Sequence, residues 1–267
     1  MVASSNRKIK IAHIITRLDW GGSPDILRNL YAHLDSAQYD LQLIIGQTRH
    51  PTIKTEQFLT SLGGKLVRIP QLQRDINLFR DAVALVKLFL FLRRQRFDIV
   101  HTHTAKAGAL GRLAARLAGV PVVVHTPHGH NFYGYFGWFL TGFCIFTERL
   151  LVRLTDMIIC LTELEKDDFL RYKVAEEEKL TVIYQGLELS LWGGSQEHDS
   201  ALLRKRFGIK EHARVVGMIG RLEPVKDPLC FVEAAIKILR GYPDTQFLIV
   251  GEGSLRAQVE ERIKERG

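Results

Sequence analysis

Residues 97–130 read FDIVHTHTAKAGALGRLAARLAGVPVVVHTPHGH. Asp98 to His103 is a short β-branched stretch and reads as a strand. Ala107 to Ala118 reads as a helix, closed by the C-cap signal Gly119 with Pro121 just beyond. Val120 to His125 is a second strand, apolar nearly throughout, as a strand buried on both faces should be. Strand, helix and strand in that order make a βαβ unit with parallel strands and a right-handed crossover.

The same alternation runs outward in both directions. Strands are expected at Ile9 to Ile15, Asp40 to Gly46, Lys65 to Pro70, Asp156 to Leu161 and Lys179 to Tyr184. Helical stripes lie between them. Pro24 to Leu34 places Ile26, Leu27, Leu30, Tyr31 and Leu34 on one face. Asp81 to Arg96 places Val83, Val86 and Leu90 on one face, ahead of a basic end that suits a helix C-terminus. The fold class is α/β, with a doubly wound parallel sheet in residues 1–185. Residues 186–208, rich in Gly, Ser and polar side chains at their start, read as a linker. In residues 209–267 the alternation restarts with strands at Arg214 to Ile219 and Gln246 to Val250, and helices at Pro228 to Leu239 and Leu255 to Ile263. Two parallel strands leave an open edge and little core, so this second sheet is expected to be unfinished, a truncated fragment or one covered by a partner.

The 267 residues are 46% hydrophobic and 25% charged, which excludes a disordered chain, a collagen-like chain and a disulfide scaffold. A formal charge of +8 points to an acidic partner: phosphate, nucleic acid or an anionic membrane surface. The basic residues Arg93, Arg94, Arg96, Arg112, Arg116, Arg149 and Arg153 are spread along helices and read as solvated faces. No nucleic-acid motif accompanies them, and no nucleic-acid partner is expected. Cys144, Cys160 and Cys230 each sit in an apolar run and read as reduced, buried thiols of a cytoplasmic protein. The opening MVASSNRKIK lacks the apolar segment of a secretory signal. No apolar run reaches the ~18 residues of a membrane span, and Ala82 to Leu92 and Phe136 to Phe146 read as buried helices.

Ligands of such sheets sit beyond the C-terminal ends of the strands. Four post-strand segments therefore carry the candidate chemistry. Thr16 to Ser23, TRLDWGGS, holds paired glycines ahead of a helix N-terminus, a place for phosphate or simply a tight turn. It lacks the G-x-G-x-x-G spacing of a dinucleotide site. His101, His103, His125, His128 and His130 form the second group. A zinc reading is weak without paired cysteines or an H-E-x-x-H helix. His101 and His125 read as hydrogen-bonded core histidines, while His128, next to Gly129, is the best candidate for a reacting-site residue. Gly220 to Pro228, GRLEPVKDP, offers Arg221 and Lys226 to a diphosphate. In Val250 to Ser254, VGEGS, Gly251 and Gly253 would let a nucleotide approach the backbone.

Taken in order, these segments resemble glycosyltransferase family 4, the retaining sugar transferases of GT-B fold. KIAHIITRLDWGGS, FDIVHTHTAKAGALGRLAARLAGVPVVVHTPHG, ERLLVRLTDMIICLTELEKDDF, VIYQGLEL, RVVGMIGRLEPVKDP and FLIVGEGSLRAQVE carry the likeness across nearly the whole chain. The segment from HGHNFYGYFGWF onward resembles the subgroup acting on surface-polysaccharide or lipid-linked acceptors. The resemblance implies a nucleotide-diphosphate sugar donor, a glycan or lipid-linked acceptor, and no metal or other cofactor. Gly21 and Gly22 would approach the donor diphosphate, Arg221 and Lys226 would neutralise it, and Gly251 and Gly253 would lie near the nucleotide. His128 would sit by the transferred sugar as the catalytic residue, with His103, His130 and Asn131 on the acceptor side. The enzyme would work in the cytoplasm; the aromatic stretch Tyr133 to Phe146, with Arg149 and Arg153 behind it, reads first as a core helix, and peripheral contact with an anionic membrane is the second reading. Three departures stand out. Pro24 occupies a position where the family commonly has Glu, and Gln185 one where Asn is commoner. Past VGEGS there is no glutamate pair at the family's E-x7-E spacing, so little turnover is expected of this chain. Two other readings remain: a sugar-nucleotide epimerase of the same fold, and a non-catalytic module that binds a membrane or a partner.

Overall fold

The computed structural model describes residues 7–19, 22–48, 51–134, 136–187, 189 and 200–266. It divides into two compact units, Met1–Glu188 and Leu189–Gly267. The first unit holds β1 (Ile9–Ile15), β2 (Tyr39–Ile45), β3 (Leu66–Arg68), β4 (Ile99–His103), β5 (Val122–Thr126), β6 (Met157–Cys160) and β7 (Leu180–Val182). They form one parallel sheet in the order β3-β2-β1-β4-β5-β6-β7. The order reverses between β1 and β4, where His13 pairs in register with His101. That reversal leaves a crevice at the C-terminal strand ends, where doubly wound sheets bind ligands.

Helices α1 (Gly22–His33), α2 (Ile53–Ser61), α3 (Leu78–Gln95), α4 (Ala105–Leu117), α5 (Trp138–Val152) and α6 (Glu163–Arg171) connect the strands. One face of the sheet buries Ala12, Ile14, Ile44, Val100 and Val123 with Ala84, Leu88 and Leu92 of α3 and Ala107, Ala114 and Ala115 of α4. On another cluster, Ile15, Leu43 and Ile45 pack with Leu27 of α1 and Leu59 of α2. The buried stripe of α3 is thus offset from the expected one: Val86 and Leu90 are exposed, because the i, i+4, i+8 positions 84, 88 and 92 face the sheet.

Helix α4 lies close on the sheet because it carries glycine where a side chain would collide. A Cβ on Gly108 would stand 2.5 Å from the His125 ring, and one on Gly111 would stand 2.7 Å from Thr102 Cγ2. Arg112, on the same helix, is fully buried rather than solvated. Its guanidinium meets Glu148 of α5 at 2.6 and 2.9 Å and donates from Nε to the Gly108 carbonyl at 2.9 Å. Arg116 is also engaged, donating to the Leu154 carbonyl and pairing with Asp156. Helix α5 departs from the expectation of a buried helix, since Val152 is its only fully buried residue. The thiols also differ from expectation: Cys160 is buried, Cys144 half-buried and Cys230 exposed, all three free.

The second unit contains α7 (Ser200–Arg206), β8 (Arg214–Ile219), α8 (Pro228–Gly241), β9 (Thr245–Val250) and α9 (Arg256–Arg266). Strands β8 and β9 pair in parallel, the only two strands in this sheet among the described residues. Helix α7 falls within the span 186–208 read as a linker, while residues 190–199 lie outside the described set.

Candidate active site

The site builds up from three strand ends of the first unit. After β4 the chain turns into α4 at Thr104, whose φ is 65°. After β5 it turns at His128 and Gly129, with φ of 59° and 96°. Left-handed backbone at a non-glycine residue costs roughly 1–2 kcal/mol, and such strain gathers at ligand sites. The bond from Thr104 N–H to the Thr126 carbonyl, 3.2 Å, ties the two turns together.

A third element holds the histidine loop from outside. Glu165 of α6 is buried, and its Oε1 accepts the Gly129 N–H at 3.1 Å while Oε2 accepts the Leu161 N–H at 2.7 Å. Thr162 caps the same helix, accepting the Glu165 N–H at 3.1 Å. The Thr162-x-x-Glu165 spacing is a helix-start signal legible in the sequence, although its hold on Gly129 is not. Neighbouring Asp168, also buried, accepts from His130 Nε2 at 2.8 Å and from the Tyr133 hydroxyl at 2.9 Å. His130 stacks on Phe132 with centroids 4.4 Å apart.

The structure therefore brings His103 and His128 together, with His103 Nδ1 and His128 Nε2 2.9 Å apart. It gives His130 to Asp168, a contact that fixes the loop, and leaves Asn131 half-buried beside it. Burial holds His128 near a pKa of about 4 and pushes His103 well below the ordinary imidazole range. Both rings are neutral at pH 7, so His128 offers one N–H and one lone pair rather than a charge. His125 is a buried, hydrogen-bonded core histidine as expected, its Nδ1 2.9 Å from Thr102 Oγ1, whereas His101 is hydrogen-bonded but only half-buried, its Nε2 2.8 Å from Thr126 Oγ1.

His13, His101 and His103 place one ring nitrogen each within 4.8 Å of one another, the sole grouping of three metal-ligating side chains among the described residues. Their nitrogens bond to each other, to Thr126 and to His128, which accounts for the spacing through imidazole hydrogen bonding. A cavity lined by Arg7, Arg93, Arg96 and Asp98 lies at the opposite, N-terminal end of the strands, away from this loop cluster.

Gly22 opens α1, and a Cβ there would lie 3.9 Å from Gln185 Oε1, while Gly21 lies outside the described residues. Asn29 of α1 also donates to the Gly186 carbonyl at 2.9 Å, so this helix packs on the segment leaving β7. In the second unit, Arg221 follows β8 and Lys226 ends a 3-10 turn at Pro224–Lys226; both are exposed, with no ion pair among the described residues. Gly251 and Gly253 permit a close approach of backbone to backbone. A Cβ would stand 1.8 Å from the Gly220 carbonyl oxygen at the first and 2.3 Å from the Leu222 carbonyl oxygen at the second. These glycines thus seat the Arg221 loop against β9.

The family model described as Glycosyltransferase Family 4 matches residues 20–191. This chain belongs to glycosyltransferase family 4. A second family model, Glycosyl transferases group 1, matches residues 199–267. An Escherichia coli relative, UDP-Gal:alpha-D-GlcNAc-diphosphoundecaprenol alpha-1,3-galactosyltransferase, is 34% identical over 254 residues, covering 94% of this chain and 64% of its own length. The chain thus spans somewhat less than two thirds of that relative. Among solved structures, Anabaena HepE in complex with UDP and glucose superposes with a TM-score of 0.71 at 19% identity, covering 97% of this chain and 64% of that one. A UDP-N-acetylglucosamine 2-epimerase superposes at 0.60 and 14%, covering 97% of this chain and 67% of its own. These likenesses bear out the GT-B fold.

Proposed function

We propose that this family 4 chain transfers a hexose from a UDP-sugar to a sugar carried on a diphospholipid, at an anionic membrane surface. The observation that carries the reading is the continuity of the histidine loop with an exposed aromatic helix. Residues 127–137 run from β5 past His128 directly into α5, whose Trp138, Phe139, Phe143 and Phe146 are 88%, 75%, 58% and 58% exposed. Positions 139, 143, 146 and 150 form one helical stripe that faces away from the core. An unpartnered apolar stripe of this size marks an interaction surface. Arg153, Arg171 and Lys173 are exposed on and beside it, and suit anionic headgroups. Arg149 is not part of that charge, because its guanidinium is bonded to the carbonyls of Tyr172 and Lys173. None of the described helices is long and apolar enough to cross a membrane, so contact would be peripheral.

In this reading the lipid of the acceptor lies along α5 and its sugar reaches the His103 and His128 cluster. In the second unit, the exposed Arg221 and Lys226 suit the diphosphate of a sugar donor, and stabilising that leaving group is the main protein contribution to such a transfer. The E. coli relative's name, with its diphosphoundecaprenol acceptor, supports the acceptor class. The epimerase alternative keeps the fold, but it would need carboxylates poised for proton chemistry. Among the described residues of the site, Glu165 and Asp168 are consumed by Gly129, Leu161, His130 and Tyr133.

The test offers radiolabelled UDP-galactose and UDP-glucose with vesicles carrying GlcNAc-diphosphoundecaprenol, followed by lipid extraction. Acceptor-dependent label in the lipid fraction, at the low turnover that the missing E-x7-E pair implies, and co-sedimentation of the chain with acceptor-bearing vesicles, are the expected results. Interconversion of UDP-sugars without acceptor, or indifference to the acceptor in both assays, would overturn the reading.

A further inference from the structure

The sheet reversal carries a row of imidazoles in hydrogen-bonding contact. His13 Nδ1 lies 3.1 Å from His103 Nε2, and His103 Nδ1 lies 2.9 Å from His128 Nε2. A neutral imidazole has one N–H and one lone pair. Two such bonds in series are therefore coupled. If His13 donates from Nδ1, His103 accepts at Nε2, carries its proton on Nδ1, donates to His128 Nε2, and leaves the His128 proton on Nδ1. In the reverse direction every proton sits on the other nitrogen. Any mixture sets two N–H groups or two lone pairs face to face in a buried site, which loses a bond and leaves polar atoms unsatisfied. The chain ends are distinctive too. His13 Nε2 and His128 Nδ1 are both buried without a partner, and so is the Tyr31 hydroxyl of the ring packed 5.6 Å from His13.

We propose that His13 and His103 are positioning residues whose shared hydrogen-bond direction fixes the tautomer of His128, and so decides whether His128 Nδ1 meets the bound sugar as an N–H donor or as a lone pair. The inference rests on the reading of His128 as the sugar-facing residue. The neutrality this requires is supplied by burial, which lowers all three pKa values. His13 does not touch His128, so a change at one end of the row alters hydrogen bonding at the other.

The experiment is long-range proton–nitrogen NMR on the whole chain labelled with nitrogen-15 in histidine, at pH 7.5, for wild type and His13→Phe. In wild type, His13, His103 and His128 should all carry the proton on the same ring nitrogen, all on Nδ1 or all on Nε2. His13→Phe should convert His128 from one tautomer to a mixture. Unrelated tautomers at the three wild-type rings, or a His128 tautomer that ignores His13→Phe in a folded variant, would overturn the proposal. Adding UDP-galactose or acceptor separates it from the site reading. Coupled rings with a His128 that responds to neither ligand remove the role in sugar binding. A responsive His128 without coupling removes the relay and leaves the site.

Discussion

Replacing Arg112 by Met tests the packing that holds α5 and its exposed stripe in place. The guanidinium is fully buried and bonds Glu148 through both carboxylate oxygens, at 2.6 and 2.9 Å. A solvent-exposed pair would be worth about 0–1 kcal/mol. Here the substitution strips a partner from Glu148, whose side chain is only 14% exposed, and removes the donor to the Gly108 carbonyl. Breaking a buried pair in this way costs about 3–5 kcal/mol, a large part of a domain's stability. Urea denaturation followed by circular dichroism should show that loss for Arg112→Met. The double variant Arg112→Met with Glu148→Leu should recover most of it, because apolar side chains can replace both charges together. A single-variant loss under about 1 kcal/mol would refute the argument, since it is what a solvated arginine gives. So would a double variant no better than the single.

Gly108→Ala should cost about 1–3 kcal/mol in the same assay, because its Cβ would press on His125 at 2.5 Å. Gly142→Ala in α5, where nothing lies within 4 Å, should instead stabilise by roughly 0.5–1 kcal/mol. Acid should destabilise the fold early. His13 and His128 are held at about 4 by burial against about 6.5 in the unfolded chain. Their stabilisation is whole above pH 6.5 and is lost as pH falls toward 4, by up to ~1.4 kcal/mol per unit for each ring. A melting temperature that stays flat from pH 7.5 to 5 would contradict this. Phe139→Glu with Phe143→Glu should abolish flotation with liposomes rich in anionic lipid while leaving the circular dichroism spectrum unchanged, because both rings are exposed.

Strand and helix alternation was legible because the strands at Ile9–Ile15 and Arg214–Ile219 are β-branched runs, and their bounds match the reading. Helix α2 was not, because residues 53–61 carry no apolar stripe and bury only Thr55 and Leu59. The burial of Arg112 depends on Glu148, 36 residues away, and no local pattern announces it. The His128 loop was legible as a strand-end glycine turn. Its clamp, Glu165 on Gly129, arises only when β5 and β6 become neighbours. The aromatic run of α5 was visible as composition. Which way it faces was not, since an apolar helix at a core and one at a surface read alike until the sheet is built.

The most direct test of the account is to titrate the labelled chain with a short-tailed GlcNAc-diphospholipid and, separately, with UDP-galactose, following histidine and arginine side-chain resonances. The account predicts that the lipid-linked sugar moves His103 and His128 and that UDP-galactose moves Arg221. If the acceptor analogue leaves both histidines unmoved at concentrations that saturate vesicle binding, the acceptor site is not at the ends of β4 and β5, and the account is wrong.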